Sequence, residues 1–330
     1  MINKEIEELF ASLFSNVIGQ DEAKRKLKFY MGGYAQTRQS PYFMLCGSKG
    51  QGKTMLAREM AKGFIKFDEK GRPIIDSNTK KPKRKTFVEI NASSIKSVGA
   101  FVNGVVIPHV VDKDVVIFID EAHELKHDVT NALLTILNPG SEFTQFVHED
   151  YLCDFNHKRQ TFFFATSESQ KLFPPLMDRM TRIDLASYTP DEMARIVKKH
   201  SGDIEFEDLA LEDIVTVLRA NARAAAKAAQ DIKIYLEKCK TFTNSHWQDL
   251  KHILGIKPLG LNATEISVLH YLKENPNGTS LTRLSAKTGF SKESLQRDYE
   301  IWLMKNNLMV IETSGRHITP KGLQYLKELN

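Results

Sequence analysis

The stretch from Gly47 to Thr54, with the sequence GSKGQGKT, constrains the fold of this chain more than any other part of it. It fits the pattern G-x-x-x-x-G-K-[ST], in which a glycine-rich loop wraps around the phosphates of a nucleotide. An apolar run over 42–46 precedes it and a helix-forming run over 55–61 follows it. This order predicts a buried strand, a phosphate-binding loop (P-loop) and a helix. The alternative is a chance match in a glycine-rich turn, and the flanking runs argue against it.

Each residue type in the P-loop has a physical role. Glycines at positions 47, 50 and 52 let the backbone curl so that successive N–H groups point at one anion. The helix that begins near Lys53 adds the positive end of its dipole. Lys53 is predicted to reach the β- and γ-phosphates, and the Thr54 hydroxyl to bind Mg²⁺. The residues predicted to contact ATP here are Gly47, Ser48, Lys49, Gly50, Gln51, Gly52, Lys53, Thr54 and Met55.

A second apolar run, over 115–119, ends in Asp120 and Glu121. A run without polar alternation is typical of a strand buried on both faces of a parallel sheet. Ligands of such sheets bind at the carboxyl ends of the strands, so both acids are predicted to lie beside the P-loop. Asp120 is predicted to hold the Mg²⁺ shell, and Glu121 to orient or deprotonate the attacking water. In the alternative interpretation, the two acids only cap a helix over 124–137.

A third apolar run, over 161–165, ends in Thr166 and Ser167. A polar side chain at this strand end is a candidate contact for the γ-phosphate or the attacking water. The residues alone leave an ordinary strand-end turn equally open.

Length and composition limit the class of protein. A chain of 330 residues indicates two or three domains. No apolar run approaches the length of a membrane span, and the acidic N-terminus lacks the core of a signal peptide. The three cysteines match no zinc spacing, which favours a reducing cytoplasm. The net charge of +5 permits a polyanionic partner without requiring one.

The remainder of the chain divides into two further regions. Thr189 to Glu192 has the pattern of a helix start, and helical patterns without a strand signal continue to about Leu254. A linker over 255–260 follows. Residues 262–330 contain three helical patterns and a probable hairpin around 313–316, which together describe a winged helix. The predicted fold is therefore an α/β P-loop core with a parallel sheet (1–188), an all-α lid (189–256) and a C-terminal winged helix-turn-helix (262–330).

DNA contact is the natural use of a winged helix. Lys292, Gln296 and Arg297 are candidates to face a groove from the third helix of the domain. However, residues 262–330 hold nine Lys and Arg against seven Asp and Glu, which is a weak electrostatic footprint. A winged helix used for protein contact stays open as the alternative.

The order of these motifs resembles the AAA+ ATPases, and within them the RuvB branch-migration motors. The resemblance extends over nearly the whole chain. Its most specific segments are Val17-Ile18-Gly19-Gln20-Asp21, Ile119-Asp120-Glu121-Ala122-His123-Glu124-Leu125, Ala165-Thr166-Ser167, Pro175-Leu176-Met177-Asp178-Arg179 and Ala222-Arg223.

The resemblance implies roles for residues that the motifs alone leave unassigned. Thr166 corresponds to sensor 1, and Arg179 to an arginine finger that a neighbouring subunit receives. Ile18 and Tyr188 correspond to the adenine side of the site, Arg223 to the sensor 2 arginine, and Arg316, at the predicted hairpin tip, to a DNA-contacting arginine. From the residues alone, Arg179 is equally a surface arginine paired with Asp178 or Asp184, and Arg219 competes with Arg223 for the sensor 2 role.

The resemblance also implies an activity and partners. It describes a Mg²⁺-dependent ATPase that forms a hexameric ring and drives branch migration of Holliday-like junctions. The implied partners are double-stranded or junction DNA and a RuvA-like junction-binding protein. The rival functions are a helicase loader, a clamp loader or a protein remodeller, and a non-enzymatic module whose assembly ATP controls. The intact Asp120-Glu121 pair argues against the last, and the lack of an aromatic-Val-Gly triplet argues against remodelling.

Two segments depart from the RuvB pattern. Residues 68–85 form a polar, lysine-rich insertion that could contact DNA phosphates or simply be a solvated loop. Residues 139–160 lie where RuvB docks RuvA through a hairpin, but their sequence is not close to that hairpin. Their apolar side chains form either such an arm or part of the core: Phe143, Phe146, Val147, Tyr151, Leu152 and Phe155.

Overall fold

The three apolar runs predicted as buried strands form the middle of a parallel sheet in the computed structural model. The structure describes residues 4–138, 140–149, 151–237 and 239–329. The chain separates into two compact units, Met1–His200 with Ala220–Ala229, and Ser201–Arg219 with Gln230–Asn330. The strands are β1 (Phe43–Cys46), β2 (Thr86–Asn91), β3 (Val115–Asp120), β4 (Phe143–His148), β5 (Tyr151–Asn156), β6 (Gln160–Thr166), β7 (Thr181–Asp184), β8 (Glu205–Phe206), β9 (Thr241–Phe242), β10 (Met309–Glu312) and β11 (Gly315–Ile318).

Helices connect the strands and follow them. The α-helices are α1 (Lys4–Ser12), α2 (Asp21–Thr37), α3 (Lys53–Ala61), α4 (Val98–Phe101), α5 (His127–Ile136), α6 (Pro174–Met177), α7 (Pro190–Ser201), α8 (Asp208–Val217), α9 (Ala222–Leu236), α10 (Asn244–Leu254), α11 (Ala263–Glu274), α12 (Leu281–Thr288), α13 (Lys292–Ser294), α14 (Ile301–Lys305) and α15 (Pro320–Glu328). Two π-helical segments, Val102–Val110 and Leu295–Glu300, continue α4 and join α13 to α14. No helix within the described ranges is both long and apolar enough to cross a membrane.

The first unit is built on a five-stranded sheet in the order β2-β3-β6-β1-β7, with every pairing parallel. Alternate residues of β1, β3 and β6 belong to two separate clusters of buried apolar side chains, one on each face. Burial on both faces is the reason that the central residues of these strands are apolar. Helices α2 and α3 cover one face, and α5 with the Val102–Val110 segment covers the other. Because the strands are parallel, their carboxyl ends meet at one edge.

Residues 139–160 form an antiparallel hairpin of β4 and β5 among the positions that the structure describes. The hairpin combines both of the interpretations that the sequence left open. Phe146 and Phe155 are buried in the core of the first unit. Phe143, Val147 and Leu152 are 66%, 68% and 61% exposed, so one face of the arm presents apolar side chains to solvent.

The second unit contains α8, α10 and the winged helix. The prediction of an all-helical lid is wrong in one detail, because β8 and β9 form a short parallel pair there. Phe206 and Phe242 lie side by side in that pair, with ring centroids 5.7 Å apart. Two-residue strands leave no alternation that a sequence pattern can detect.

The winged helix has the predicted elements. Asn262 and Glu265 form a capping box at the start of α11. The helical stretch that begins at Lys292 packs Leu295 and Leu303 into a core with α11, α12 and α15. Strands β10 and β11 pair on either side of the turn at 313–314. These elements, with the parallel-sheet core and the helical region, confirm the predicted fold class.

Candidate nucleotide-binding site

The P-loop connects β1 to α3 and requires glycine at two positions. Gly50 and Gly52 have φ angles of 82° and 88°, a left-handed conformation that disfavours side chains. A Cβ atom at Gly50 would lie 2.0 Å from Oδ1 of Asn221, and one at Gly52 would lie 2.8 Å from the hydroxyl of Tyr188. The side chains of Asn221 and Tyr188 therefore pack closely against the loop, which restricts its conformation.

Lys53 lies inside this loop. Its Nζ donates hydrogen bonds to the carbonyl oxygens of Gly47 (2.7 Å) and Ser48 (3.2 Å). Burial lowers the pKa of Lys53, while the charges of Glu121 and Asp120 oppose that shift. The buried ammonium is thus held by two carbonyl oxygens of the loop and is stabilised by the charges of two carboxylates.

The carboxyl end of β3 meets the start of α3. The Thr54 hydroxyl lies 3.4 Å from Oδ2 of Asp120, whose Oδ1 accepts a hydrogen bond from the backbone N–H of Glu121. Burial raises the pKa of Asp120. A hydroxyl and a carboxylate are hard oxygen donors, and Mg²⁺ sites at nucleotides commonly use one or two such protein ligands with phosphate and water. The donor set therefore fits Mg²⁺.

Glu121 is joined to the end of β6. Its Oε2 accepts hydrogen bonds from Oγ (2.9 Å) and the backbone N–H (3.3 Å) of Ser167. His123 Nδ1 lies 3.0 Å from Oγ1 of Thr166 and 3.5 Å from Oε2 of Glu121. The structure thus brings the predicted pair, Glu121 and Thr166, into one hydrogen-bonded cluster.

Sequence reasoning gave no role to His123, and it named Ser167 only as part of a polar strand end. His123 and Ser167 each lie one or two positions beyond a predicted site residue, at the ends of β3 and β6. Their position at strand ends that converge on the P-loop is the sequence signal that could have identified them as site residues.

The segment before α2 closes another side of the P-loop. The side chain of Gln20 exchanges two hydrogen bonds with the backbone of Ala186, at 2.8 and 2.9 Å. The Tyr188 hydroxyl donates to the carbonyl oxygen of Gln51 at 3.1 Å. Ile18, half-buried, lies two residues before Gln20. The segment that contains Ile18 and the segment that contains Tyr188 are therefore joined through Gln20, to which the sequence gave no role of its own.

Arg223 lies in the first turn of α9, next to the loop. The N–H of Ala222 donates to the carbonyl oxygen of Gly50 at 3.0 Å. The positive charge of Arg223 contributes to lowering the pKa of Lys53, after the larger effect of burial. Its rival, Arg219, makes two hydrogen bonds of 2.8 and 2.6 Å to the buried Glu265 in the second unit. Arg219 is therefore engaged in an ion pair and does not compete for the sensor 2 position.

The remaining P-loop residues are exposed around this cluster. Ser48 and Lys49 lie at the outer surface of the loop, and Met55, in the first turn of α3, is 42% exposed. The outer residues of the loop are thus in contact with solvent, whereas Gln51 and Lys53 are buried.

Arg179 is not joined to this cluster. It follows α6, and its Nη1 donates to the carbonyl oxygen of Leu137 at 3.4 Å. Asp184, suggested as a partner of Arg179 in a surface ion pair, instead accepts a hydrogen bond from Arg182 at 2.8 Å. The alternative pairing with Asp184 is therefore wrong.

The three candidate DNA contacts have different surroundings. Lys292 is exposed at the start of α13, and Arg297 pairs with Asp298 on the same helical stretch. The sequence predicted Arg316 at the hairpin tip, and this prediction is wrong. Arg316 lies inside β11. Its guanidinium makes two hydrogen bonds to Glu300, at 2.7 and 3.1 Å, and the two side chains are 10% and 2% exposed. A guanidinium engaged in this way is not presented to a phosphate.

Comparisons with known proteins agree with this architecture. Residues 43–188 match the family model "ATPase family associated with various cellular activities (AAA)", and residues 258–327 match "RuvB C-terminal winged helix domain". The chain is 25% identical to the Holliday junction branch migration complex subunit RuvB of Mycoplasmopsis pulmonis, covering 98% of this chain and 99% of that protein. It is also 25% identical to the same subunit from Ehrlichia canis, covering 96% and 92%.

Solved structures support the fold. The Thermotoga maritima RuvB Holliday junction branch migration motor superposes with a TM-score of 0.73 at 22% identity, covering 97% of this chain and 98% of that one. A variant of the same protein gives a TM-score of 0.73 over 99% of both chains. With the P-loop cluster followed by a winged helix of the RuvB type, this chain is a RuvB-like AAA ATPase.

Proposed function

We propose that this protein is an ATP-driven motor that moves the branch point of Holliday-like DNA junctions. The observation that carries the proposal is the combination, in one chain, of the P-loop cluster with a winged helix of the RuvB type. Relatives with nearly the same length are subunits of Holliday junction branch migration complexes. In this proposal the ATPase core is 1–188, the lid is 189–256 and the DNA-binding winged helix is 262–330, and the protein acts in the cytoplasm.

The proposal gives each residue of the cluster a task in hydrolysis. Lys53 and the P-loop N–H groups hold the β- and γ-phosphates, and Ile18 and Tyr188 contact the adenine side. Thr54 and Asp120 would hold Mg²⁺, which neutralises charge on the phosphates when bound.

The reacting end of the nucleotide has its own set of residues. Glu121 orients the attacking water and receives its proton, and Thr166 fixes that water or the γ-phosphate. Arg223 contacts the γ-phosphate from α9. Ser167 and His123, which contact Glu121, hold its carboxylate in place.

The proposed active form is a homo-oligomeric ring, most simply a hexamer. Arg179 lies outside its own subunit's cluster and follows a short helix, α6, at the surface of the first unit. In a ring it would complete the site of the adjacent subunit, where a guanidinium neutralises charge on the transferring phosphoryl group. Hydrolysis would then depend on assembly.

DNA contact is assigned to the winged helix and a partner contact to the β4–β5 hairpin. Lys292 is exposed at the start of the third helix of the winged domain, and Arg297 lies one turn further on. On the hairpin, the exposed side chains of Phe143, Val147 and Leu152 share one face, because Val147 pairs with Leu152 and lies four residues from Phe143. This apolar face is the proposed docking surface for a RuvA-like protein. Val147→Asp should abolish that complex in a pull-down assay, and an unaffected complex would refute the assignment.

Electron microscopy with a slowly hydrolysed ATP analogue and a synthetic four-way junction tests the assembly. The proposal predicts closed rings on the duplex arms, with the winged helix in contact with DNA. Monomers or open arcs bound beside a second protein ring would instead indicate a loader of the kind that acts in DNA replication or repair.

A further inference from the structure

The connection between α3 and β2 is a folded module and not a solvated loop. We name residues 66–84 the basic module. Its backbone forms a closed cycle of three hydrogen bonds: Lys66 N–H donates to the carbonyl of Lys83 (2.8 Å), Lys83 N–H to that of Ile74 (2.8 Å), and Ile74 N–H to that of Lys66 (2.9 Å). Isolated antiparallel bridges between Ile65 and Arg84, and between Ile75 and Pro82, extend the cycle at both ends. Three extended segments are thus held against one another.

Two aspartates fix the turns of the basic module. The carboxylate of Asp68 accepts hydrogen bonds from the backbone N–H (2.7 Å) and Nε (2.9 Å) of Arg72. That of Asp76 accepts from the backbone N–H groups of Asn78 (3.0 Å) and Thr79 (2.9 Å). Backbone hydrogen bonds are the main cause of the lowered pKa of both carboxyls. Two of the module's three acidic residues therefore serve the turns, and neither forms an ion pair with any lysine that the structure describes in the module.

The basic module carries most of the net charge of the chain. It contains seven Lys and Arg against three Asp and Glu, a net charge of +4, whereas the whole chain has +5. Six of the basic residues are exposed. One of them, Arg72, pairs with Asp68, and the other five are Lys70, Lys80, Lys81, Lys83 and Arg84. None of these five has a carboxylate oxygen within 4.0 Å in the part of the chain that the structure describes. Such a concentration of unpaired cations is unfavourable by itself and favours a polyanion nearby.

The module also shapes a groove. A cavity of about 880 Å³ is lined by Lys66, Lys80, Lys81, Lys83 and Arg84 on one side and by α1 on the other. Glu8 of α1 and the already engaged Asp76 are the acidic residues in its lining. The basic side chains therefore converge on one open, concave surface.

This surface lies away from the P-loop cluster, where the nucleotide is proposed to bind. The module leads into Thr86, the first residue of β2, whereas the P-loop cluster lies at the carboxyl ends of β1, β3 and β6. A ligand of the module would therefore leave the ATP site accessible.

The chemistry of the module fits the phosphate backbone of duplex DNA. Lysines act as point charges for phosphates, whereas single-stranded nucleic acid is normally bound with the help of exposed aromatic rings. The single aromatic residue of the module, Phe67, is half-buried with the guanidinium of Arg38 above its ring, 5.8 Å from the centroid. The folded backbone also loses less conformational entropy on binding than a flexible tail would.

We propose that the basic module is a second DNA contact, which holds the duplex backbone without reading its sequence and acts together with the winged helix. This inference rests on the proposed function of the protein as a DNA motor. Sequence-independent phosphate contacts release counterions, so they have a characteristic dependence on salt concentration.

The test is the affinity for a blunt duplex of random sequence, measured by fluorescence anisotropy over a range of salt concentrations. The variant carries K70Q, K81Q, K83Q and R84Q together, and it keeps Lys80 because that residue has a left-handed backbone with φ of 56°. The matched control neutralises four exposed lysines elsewhere, by K28Q, K198Q, K233Q and K240Q. ATP turnover without DNA and the far-UV circular dichroism spectrum verify that both variants fold.

The module variant should bind at least about tenfold more weakly near 0.1 M salt, and the slope of log affinity against log salt should fall by about 2 to 4. The control should retain most of the affinity and slope. If the module variant and the control lose equal affinity, the inference is overturned, but the proposed motor function is not affected. The same holds if the module binds an acidic protein in place of DNA. Failure of the unmodified protein to bind any duplex would instead refute the proposed function. If the variant misfolds, the charge-preserving set K70R, K81R and K83R must retain duplex binding.

Discussion

Glu121 has a backbone conformation that few glutamates adopt. Its φ of 52° lies in the left-handed region, where a non-glycine residue costs on the order of 1 kcal/mol or more. In this conformation the Glu121 carboxylate accepts a hydrogen bond from Ser167 at the end of β6. Strain of this kind persists where the surroundings determine it, and here two strand ends do so. We infer that the conformation is retained because it places the carboxylate where the attacking water must be.

At this scale the first prediction concerns Glu121→Gln. The amide keeps the shape of the side chain but cannot accept a proton, so turnover should fall by about 10²-fold or more while ATP binding persists. Steady-state phosphate release and equilibrium binding of a fluorescent nucleotide measure the two quantities. Glu124→Gln, the same change three residues later on a half-exposed side chain, is the control and should retain turnover. Comparable turnover in both variants would show that Glu121 is not the catalytic base.

Arg316 and Glu300 form a buried ion pair that gives a second prediction for single residues. Arg316→Gln leaves the Glu300 carboxylate buried without its partner, which should destabilise the winged helix by about 3 kcal/mol or more. The double variant R316Q/E300Q should recover part of this loss. Urea unfolding measures the stability, and duplex affinity at low temperature measures the binding. Lys321→Gln, on the exposed surface of α15, is the control.

A contact of Arg316 with DNA would give the opposite pattern. Duplex affinity would fall in R316Q with stability unchanged, and the double variant would restore nothing.

At the scale of elements, the P-loop, β1, β3, β6 and the winged helix could be predicted because their patterns are local. An unbroken apolar run, or a capping box such as Asn262 with Glu265, is encoded by residues that lie within a few positions of one another. The Gln20–Ala186 and Arg316–Glu300 contacts could not be predicted, because they join residues that only the fold brings together. For the same reason, the sequence did not reveal that the lysine-rich insertion closes on itself.

The β4–β5 hairpin is attached to the sheet through His157, which provides a pH-dependent prediction. Its Nδ1 lies 3.1 Å from the Tyr42 hydroxyl and its Nε2 lies 2.9 Å from Oγ1 of Thr144. Burial lowers the pKa of His157 to about 4, whereas an unfolded histidine titrates near 6.5. Between these values the unfolded chain binds more protons, so the free energy of unfolding decreases as the pH falls from 6.5 towards 4.

Between pH 7 and pH 5, His157 should account for a loss of about 2 kcal/mol in the free energy of unfolding. Denaturant titrations at the two pH values should show a smaller loss in His157→Gln than in the unmodified protein. His200→Gln, at the exposed end of α7, controls for general charge effects. Equal losses in all three proteins would mean that this histidine is not responsible for acid sensitivity.

At the scale of the whole molecule, the account depends on subunits sharing an active site. The R179A variant lacks the arginine finger but keeps the catalytic base Glu121. The E121Q variant lacks the base but keeps Arg179. Each should be inactive alone. In mixed rings, the intact Glu121 of an R179A subunit would meet Arg179 of an E121Q neighbour, so ATP turnover should reappear at intermediate mixing ratios. Turnover that stays at background at every ratio would contradict the shared site. R182A, whose arginine pairs with Asp184 on β7, is the matched control and should remain active alone.

The central claim is that hydrolysis at this P-loop cluster moves a DNA branch point. The most direct measurement is strand exchange in a synthetic four-way junction with homologous arms, followed by fluorescence resonance energy transfer, with and without a RuvA-like partner. The account predicts ATP-dependent movement of the branch point by the unmodified protein, and no movement by E121Q despite unimpaired junction binding. Branch migration by E121Q at the unmodified rate, or ATP turnover without any movement under both partner conditions, would contradict it.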